Sequence, residues 1–218
     1  MCGRYVANWS KTSFEKTFNT QAPLFESFNI APTQLAPVVY SKPSGQRETL
    51  MTRWGLLPYW VKEPEDFKAN LFNARAESLS EKASFKRPFK TSRCLVPASG
   101  FYEWKKENGG KVPHYIKASD DVIAFAGLYE HWQKGDNEVV SHTIITTKPN
   151  DFMQSIHNRM PVILEQEAFD LWLDPSNDDT EMLEHLLKPY EGELEAHPVD
   201  KRVGRPSEND SALVDKQE

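Results

Sequence analysis

The spacing of apolar runs through the middle of the chain limits the fold more than any other feature. Cys94–Val96, Phe101–Trp104, His114–Ile116, Val122–Tyr129 and Val139–Thr147 follow one another closely, with Asn108-Gly109-Gly110 and Gly135-Asp136-Asn137 as turns between them. A parallel crossover needs a dozen or more residues between strands, so these gaps predict antiparallel pairing and not alternating βαβ units. Upstream, Ala36–Tyr40 and Glu48–Arg53 flank Lys42-Pro43-Ser44-Gly45 and read as a hairpin. Thr12 or Ser13 is placed to cap a short helix with Phe14 and Phe18 on one face, and Glu167–Leu173 and Thr180–Leu187 read as late amphipathic helices. The predicted fold class is α+β: a mostly antiparallel, barrel-like β-sheet core with flanking short helices. Residues 1–199 are read as a single domain, and residues 200–218, polar with little to bury, as a flexible polar C-terminal tail.

At 218 residues, 39% hydrophobic and 27% charged, the chain can bury one sizeable core and is not of a disordered, collagenous or coiled-coil type. No run approaches the roughly 18 apolar residues needed to span a bilayer, and the N-terminus lacks the apolar stretch of a secretory signal. A cytoplasmic protein with no membrane association is expected. Two cysteines, Cys2 and Cys94, make no disulfide scaffold and show no zinc-site spacing, so no metal or cofactor is expected.

The formal net charge of −6 speaks against nucleic acid, but its distribution does not. Residues 1–110 hold 16 Lys+Arg against 10 Asp+Glu, while residues 111–218 hold 10 against 22. The densest basic stretch is Lys82, Lys86, Arg87, Lys90 and Arg93, interleaved with Phe85 and Phe89. That mixture suits phosphates and stacked bases, and it equally suits a solvated helix face above two core phenylalanines.

Four constellations carry chemistry. Removal of Met1 would leave Cys2 with an α-amine beside its thiol; with reference pKa values of about 7.7–8.0 and about 8.5, both are partly nucleophilic near neutral pH. Such a 1,2-aminothiol condenses with an aldehyde to a Schiff base and closes to a thiazolidine. In Gly100-Phe101-Tyr102-Glu103-Trp104 a carboxylate lies among aromatics, on the strand face of Phe101 and Lys105. There it pairs with a cation such as Lys105, has a raised pKa suited to proton transfer, or points to water. His157 and Arg159 sit two apart, before Pro161 and an apolar run. In Phe72-Asn73-Ala74-Arg75-Ala76-Glu77, Asn73 and Arg75 are placed to share one strand face, the first for orientation and the second for phosphate. Histidines 114, 131, 142, 185 and 197 have no visible partner.

Met1-Cys2-Gly3-Arg4, Phe28-Asn29-Ile30-Ala31-Pro32-Thr33, Trp54-Gly55-Leu56-Leu57-Pro58, Asn73-Ala74-Arg75-Ala76-Glu77, Arg93–Ala98 with Gly100–Trp104, Ala126-Gly127-Leu128-Tyr129-Glu130 and His157-Asn158-Arg159-Met160-Pro161 occur in that order. The series, spanning roughly residues 2 to 190, resembles the SOS response-associated peptidase (SRAP) family. The resemblance implies protection of abasic sites in single-stranded DNA through a covalent thiazolidine crosslink to the C1′ aldehyde. It implies Cys2 as the covalent residue, Asn73 as its positioner, and Glu103 and His157 as proton handlers. Arg4, Arg75 and Arg159 become candidate phosphate contacts, with Pro32 and Trp104 as candidates for stacking or wedging at the lesion. It further implies a self-processing, peptidase-like activity, a possible lyase activity, single-stranded DNA containing an abasic site as partner, and nucleoid association when bound. Two other readings share these residues. One is an N-terminal-nucleophile cysteine amidohydrolase, with the α-amine as base. The other is a non-covalent single-strand-binding module using Trp54, Trp60, Trp104 and the basic stretch.

Overall fold

Every residue of the segment Arg93–Ala98 is buried, so both faces of that strand need cover. The computed structural model, which describes residues 2–107 and 109–217, supplies it from two sheets and a layer of short helices. The strands are β1 (Arg4–Ala7), β2 (Ser27–Ile30), β3 (Leu35–Ser41), β4 (Arg47–Trp54), β5 (Asn73–Arg75), β6 (Arg93–Ala98), β7 (Gly100–Glu107), β8 (Gly110–Ala118), β9 (Ile123–Lys134), β10 (Asn137–Thr147), β11 (Met160–Pro161), β12 (Ile163–Leu164) and β13 (Leu194–Pro198). The α-helices are α1 (Lys11–Phe18), α2 (Ala83–Thr91), α3 (Asp151–Gln154), α4 (Phe169–Leu173) and α5 (Thr180–Glu184).

Five strands close into a barrel. β3 pairs antiparallel with β4 and β6, β6 with β9, and β9 with β10, and β10 completes the ring by parallel pairing with β4. β5 adds to β10 in parallel, at Ile144↔Asn73. A separate antiparallel sheet has the order β13-β8-β7-β1-β2. The α+β, mostly antiparallel expectation holds, and the hairpin forms as expected, from Leu35↔Arg53 to Ser41↔Arg47. The two parallel pairings join segments distant in sequence and left no mark on the strand spacing.

Two-residue periodicity divides β6 between two cores. Cys94, Val96 and Ala98 face Tyr5, Trp54, Phe101 and Phe125, where the second sheet packs on the barrel. Leu95 faces Phe14, Phe18, Phe85, Phe89, Phe169 and Trp172, contributed by the helices. Gly127 permits the tight β6–β9 approach, since a Cβ there would come within 2.9 Å of Val96 and 3.0 Å of Cys94. α1 is capped by Ser10, not by Thr12 or Ser13; its hydroxyl accepts from the Ser13 N–H. The late helices are shorter than expected, the first part of one being a 3₁₀ turn over Gln166–Ala168.

The basic stretch resolves into a solvated helix face. Phe85 and Phe89 of α2 are buried, Lys82, Lys86, Arg87 and Lys90 are exposed, and Arg93 is only 4% exposed. Its guanidinium donates to the carbonyls of Phe89, Lys90, Trp172, Asp174 and Asn177, which removes it from any phosphate-binding role.

The chain end departs from expectation. The outer face of the antiparallel sheet presents Val6, Tyr102 and Tyr115, and Val199, Val203 and Leu213 cover them. Three apolar residues suffice because the polar ones bond locally: the Arg202 guanidinium meets Asp200 at 3.2 Å, Glu208 at 3.0 Å and Asp210 at 2.9 Å. Residues 199–217 thus form a strap across the sheet, closed where the Gln217 N–H donates to the Pro198 carbonyl. Among the described residues no helix is long and apolar enough to cross a membrane.

Arg93 ties β6 to the helical layer through five backbone carbonyls. Replacing Arg93 with Lys keeps the charge but not the planar fork, and should destabilise the fold by about 1–3 kcal/mol, the cost of stranding buried polar groups. Urea unfolding of the two proteins measures this, and an unchanged midpoint would dismiss the guanidinium as a structural tie.

Candidate active site

Four elements from distant parts of the sequence meet beside the start of β1. Cys2 is fully buried, in the core that Tyr5 and Trp54 share. Its carbonyl accepts a 2.7 Å hydrogen bond from Asn73 Nδ2, and its thiol lies 3.9 Å from the Arg4 carbonyl. Asn73 opens β5, where buried Ala74 puts Asn73 and Arg75 on the opposite face, as their spacing suggested. Met1, whose removal the aminothiol requires, lies outside the described residues.

Glu103 lies on β7 and is 2% exposed. β1 pairs with β7 at Arg4↔Tyr102 and Tyr5↔Phe101, which brings the carboxyl to the N-terminal end of β1. Lys105, the cation considered for it, instead meets Glu107 at 2.9 Å. Burial pushes the Glu103 carboxyl from 4.5 up to about 7. Burial, and then the charge of Glu103, also pushes the Cys2 thiol far up.

His157 follows α3, where the Asn150 side chain caps the helix and the His157 N–H donates to the Met153 carbonyl at 2.8 Å. Its Nδ1 lies 3.9 Å from Glu103 Oε1. The Arg159 backbone meets that same Nδ1 with both its groups, the N–H at 3.1 Å and the carbonyl at 3.2 Å, so the neutral ring is held in place in either tautomer. Burial lowers the His157 pKa, favouring that neutral ring.

The arginines differ in availability. Arg159 forks onto Glu77 at 2.6 and 3.0 Å, which compensates its charge and holds the Glu77 pKa down. The Arg4 guanidinium donates to the carbonyls of Gly3 at 2.8 Å and Gly204 at 3.3 Å. Arg75 is exposed. Pro32 is half-buried at the rim of a cavity of about 470 Å³ that Trp54 and Phe72 also line. Trp104 projects from the opposite face of β7 to Glu103 and packs beside Tyr102, Val199 and Val203, so the structure does not bring it to Cys2. Trp54 is wholly buried and offers no stacking surface, whereas Trp60 is 47% exposed.

Sequence reading missed two partners. Glu77 stood within a recognised motif without a role, and nothing local signals its fork to Arg159, 82 positions away. The Gly204 carbonyl that receives Arg4 belongs to the segment expected to be loose.

The sequence matches the profile of the SOS response associated peptidase (SRAP) family over residues 1–206. It is 42% identical to "Abasic site processing protein YoqW" of Bacillus subtilis (strain 168), over 99% of each chain. It is 33% identical to "Abasic site processing protein HMCES" of Gallus gallus, over 79% of this chain and 61% of that one. A crystal structure of a protein from Bacteroides thetaiotaomicron superposes with a TM-score of 0.88 at 28% identity, covering 99% of this chain and 100% of that one.

The raised Glu103 pKa has a measurable consequence for stability. Below pH 4.5 the carboxyl is protonated folded or unfolded; as pH rises the unfolded chain releases the proton first, so stability falls until the folded group ionises near pH 7. Glu103→Gln escapes this loss. Its stability advantage over wild type should grow between pH 4.5 and about 7 by about 3 kcal/mol and then level off. Urea unfolding across that range tests the assignment, and a difference independent of pH would refute it.

Proposed function

The chain belongs to the SOS response associated peptidase (SRAP) family, and from that premise we propose that it processes abasic sites in single-stranded DNA by covalent capture through Cys2. The Asn73–Cys2 hydrogen bond of 2.7 Å carries the reading, because it anchors the backbone of the nucleophile beside Glu103 and His157. The names of the relatives at 42% and 33% identity support the lesion as substrate.

The ring-opened abasic sugar presents an aldehyde at C1′. Once Met1 has been removed, the α-amine of Cys2 adds to that carbon, and loss of one water gives a Schiff base. The thiol then adds to the imine carbon as its proton passes to nitrogen, closing a five-membered thiazolidine. The overall change is aldehyde plus aminothiol to thiazolidine plus water, with no oxidant or metal in the balance. Each step moves a proton, and a carboxyl titrating near 7 beside a neutral imidazole is suited to give and take protons at neutral pH. Asn73 acts as a positioning residue, turning the N-terminal backbone toward the proton-transferring groups. Arg75 and Arg4 serve the phosphates, and Pro32 stacks beside the lesion. Removal of Met1, by the protein's own peptidase-like activity or by an aminopeptidase, belongs to the same reading.

Two measurements test it. In a Met1-retaining preparation the Cys2 nitrogen is an amide and cannot form the imine, so intact-mass analysis with abasic single-stranded DNA should show a heat-stable adduct for trimmed protein alone. Equal adduct yield with Met1 still attached would sink the aminothiol route. Glu103→Gln removes the titratable proton and should slow crosslinking by about 10²–10⁴ with DNA affinity little changed. Wild-type crosslinking kinetics in that variant would exclude Glu103 from the chemistry.

A further inference from the structure

We propose that the C-terminal strap forms part of the DNA-contacting edge, with Arg205 supplying a backbone-phosphate contact beside Arg4. The inference rests on the reading of the protein as a binder of single-stranded DNA and adds an element that reading does not contain.

The placement is built from both sides. Gly204, directly before Arg205, accepts from the Arg4 guanidinium at 3.3 Å, and Pro206, directly after it, accepts from Gln34 Nε2 at 3.5 Å. Arg205 therefore stands between Arg4 and the Pro32–Gln34 turn, two features assigned to the lesion strand from the opposite end of the chain. The backbone here is braced. Asn29, 1% exposed on edge strand β2, donates through Nδ2 to the carbonyls of both Arg205 and Glu208 at 2.9 Å, and the Glu208 N–H closes back on the Arg205 carbonyl at 3.1 Å. Asn209 replies from the strap, accepting from the Phe28 N–H at 2.7 Å. The two bonds satisfy the buried amide group and hold the Arg205–Glu208 backbone in one conformation.

Charge separates Arg205 from its surroundings. Residues 111–218 are strongly acidic and as a whole would repel DNA. In the strap, Asp200, Glu208 and Asp210 all turn to Arg202, which meets them at 2.9–3.2 Å. The Arg205 side chain is 74% exposed, and its carboxylate contact is Glu208 at 3.9 Å, a group that Arg202 already engages at 3.0 Å. Arg202 thus draws the three carboxylates to itself and offsets part of their charge, and the Arg205 guanidinium stands outward on the braced loop. Such a group grips a phosphate without first losing backbone freedom.

The test measures binding to a single-stranded oligonucleotide carrying a tetrahydrofuran abasic analogue, which has no aldehyde, across a salt titration. Each phosphate contact on a single strand contributes about −0.7 to the slope of log K against log[salt]. Arg205→Ala should flatten the slope by about that amount and weaken binding at low salt. Lys216→Ala, which removes an exposed cation at the far end of the strap, should leave the slope unchanged. An unaltered slope in Arg205→Ala, or an equal loss in Lys216→Ala, would overturn the proposal. Mixing wild-type protein with a reactive abasic oligonucleotide separates the two failures. A wild-type adduct with an unaltered Arg205→Ala slope defeats the strap alone, whereas absence of the adduct defeats the covalent reading itself.

Discussion

The edge-on contact between Tyr5 and Trp54, with ring centres 5.1 Å apart, joins the antiparallel sheet to the barrel, and the site depends on it. Tyr5 lies three residues beyond Cys2, so seating its ring sets where β1 begins. Trp54 donates through Nε1 to the Phe72 carbonyl at 2.8 Å, and Phe72 immediately precedes Asn73. One indole therefore fixes both the strand that follows Cys2 and the strand that carries Asn73. Phe125 extends the seam, 6.1 Å from Tyr5 and 5.9 Å from Phe101, and Phe101 lies two residues before Glu103. Geometry of this kind is worth about 0.5–1.5 kcal/mol per aromatic pair beyond burial. Its larger effect is to leave β1 a single way to pack.

The same burial sets the electrostatics. Glu103 is pushed up to about 7, the Cys2 thiol is pushed up and His157 is pushed down, so each group moves toward its neutral form. Full charges stand at the rim, on Arg4, Arg75 and the Arg159–Glu77 fork. A centre of near-neutral groups exchanges protons at little cost, and a charged rim meets a polyanion without placing unpaired ions in the core.

Much of the local structure was legible in the residues. The Leu35–Trp54 hairpin, the Phe14/Phe18 helix and the shared face of Asn73 and Arg75 follow from turn chemistry and from periods of 2 and 3.6, which act over a few residues. The aromatic neighbourhood of Glu103 already restricted it to a few states, and burial in the packed molecule raises its pKa. Other expectations failed for lack of local information. Arg93 looked like its basic neighbours yet is buried, because its five carbonyl partners come from two separate stretches. The strap itself was read as loose because composition counts apolar residues and does not register the exposed sheet face that three of them can complete.

By itself the sequence determined the strand-rich α+β class, the hairpin, the chemical identity of the candidate nucleophile and the residue types around it. These are written in spacing and in side-chain chemistry, and both survive without knowledge of neighbours. Only the tertiary structure decided that β10 closes a barrel by parallel pairing with β4, that Arg159 is answered by Glu77, that Asn73 holds the Cys2 carbonyl and that His157 lies against Glu103. Those arrangements join segments tens of residues apart, and their register is set by which buried faces fit together, a property of the packed molecule that no short window of sequence contains.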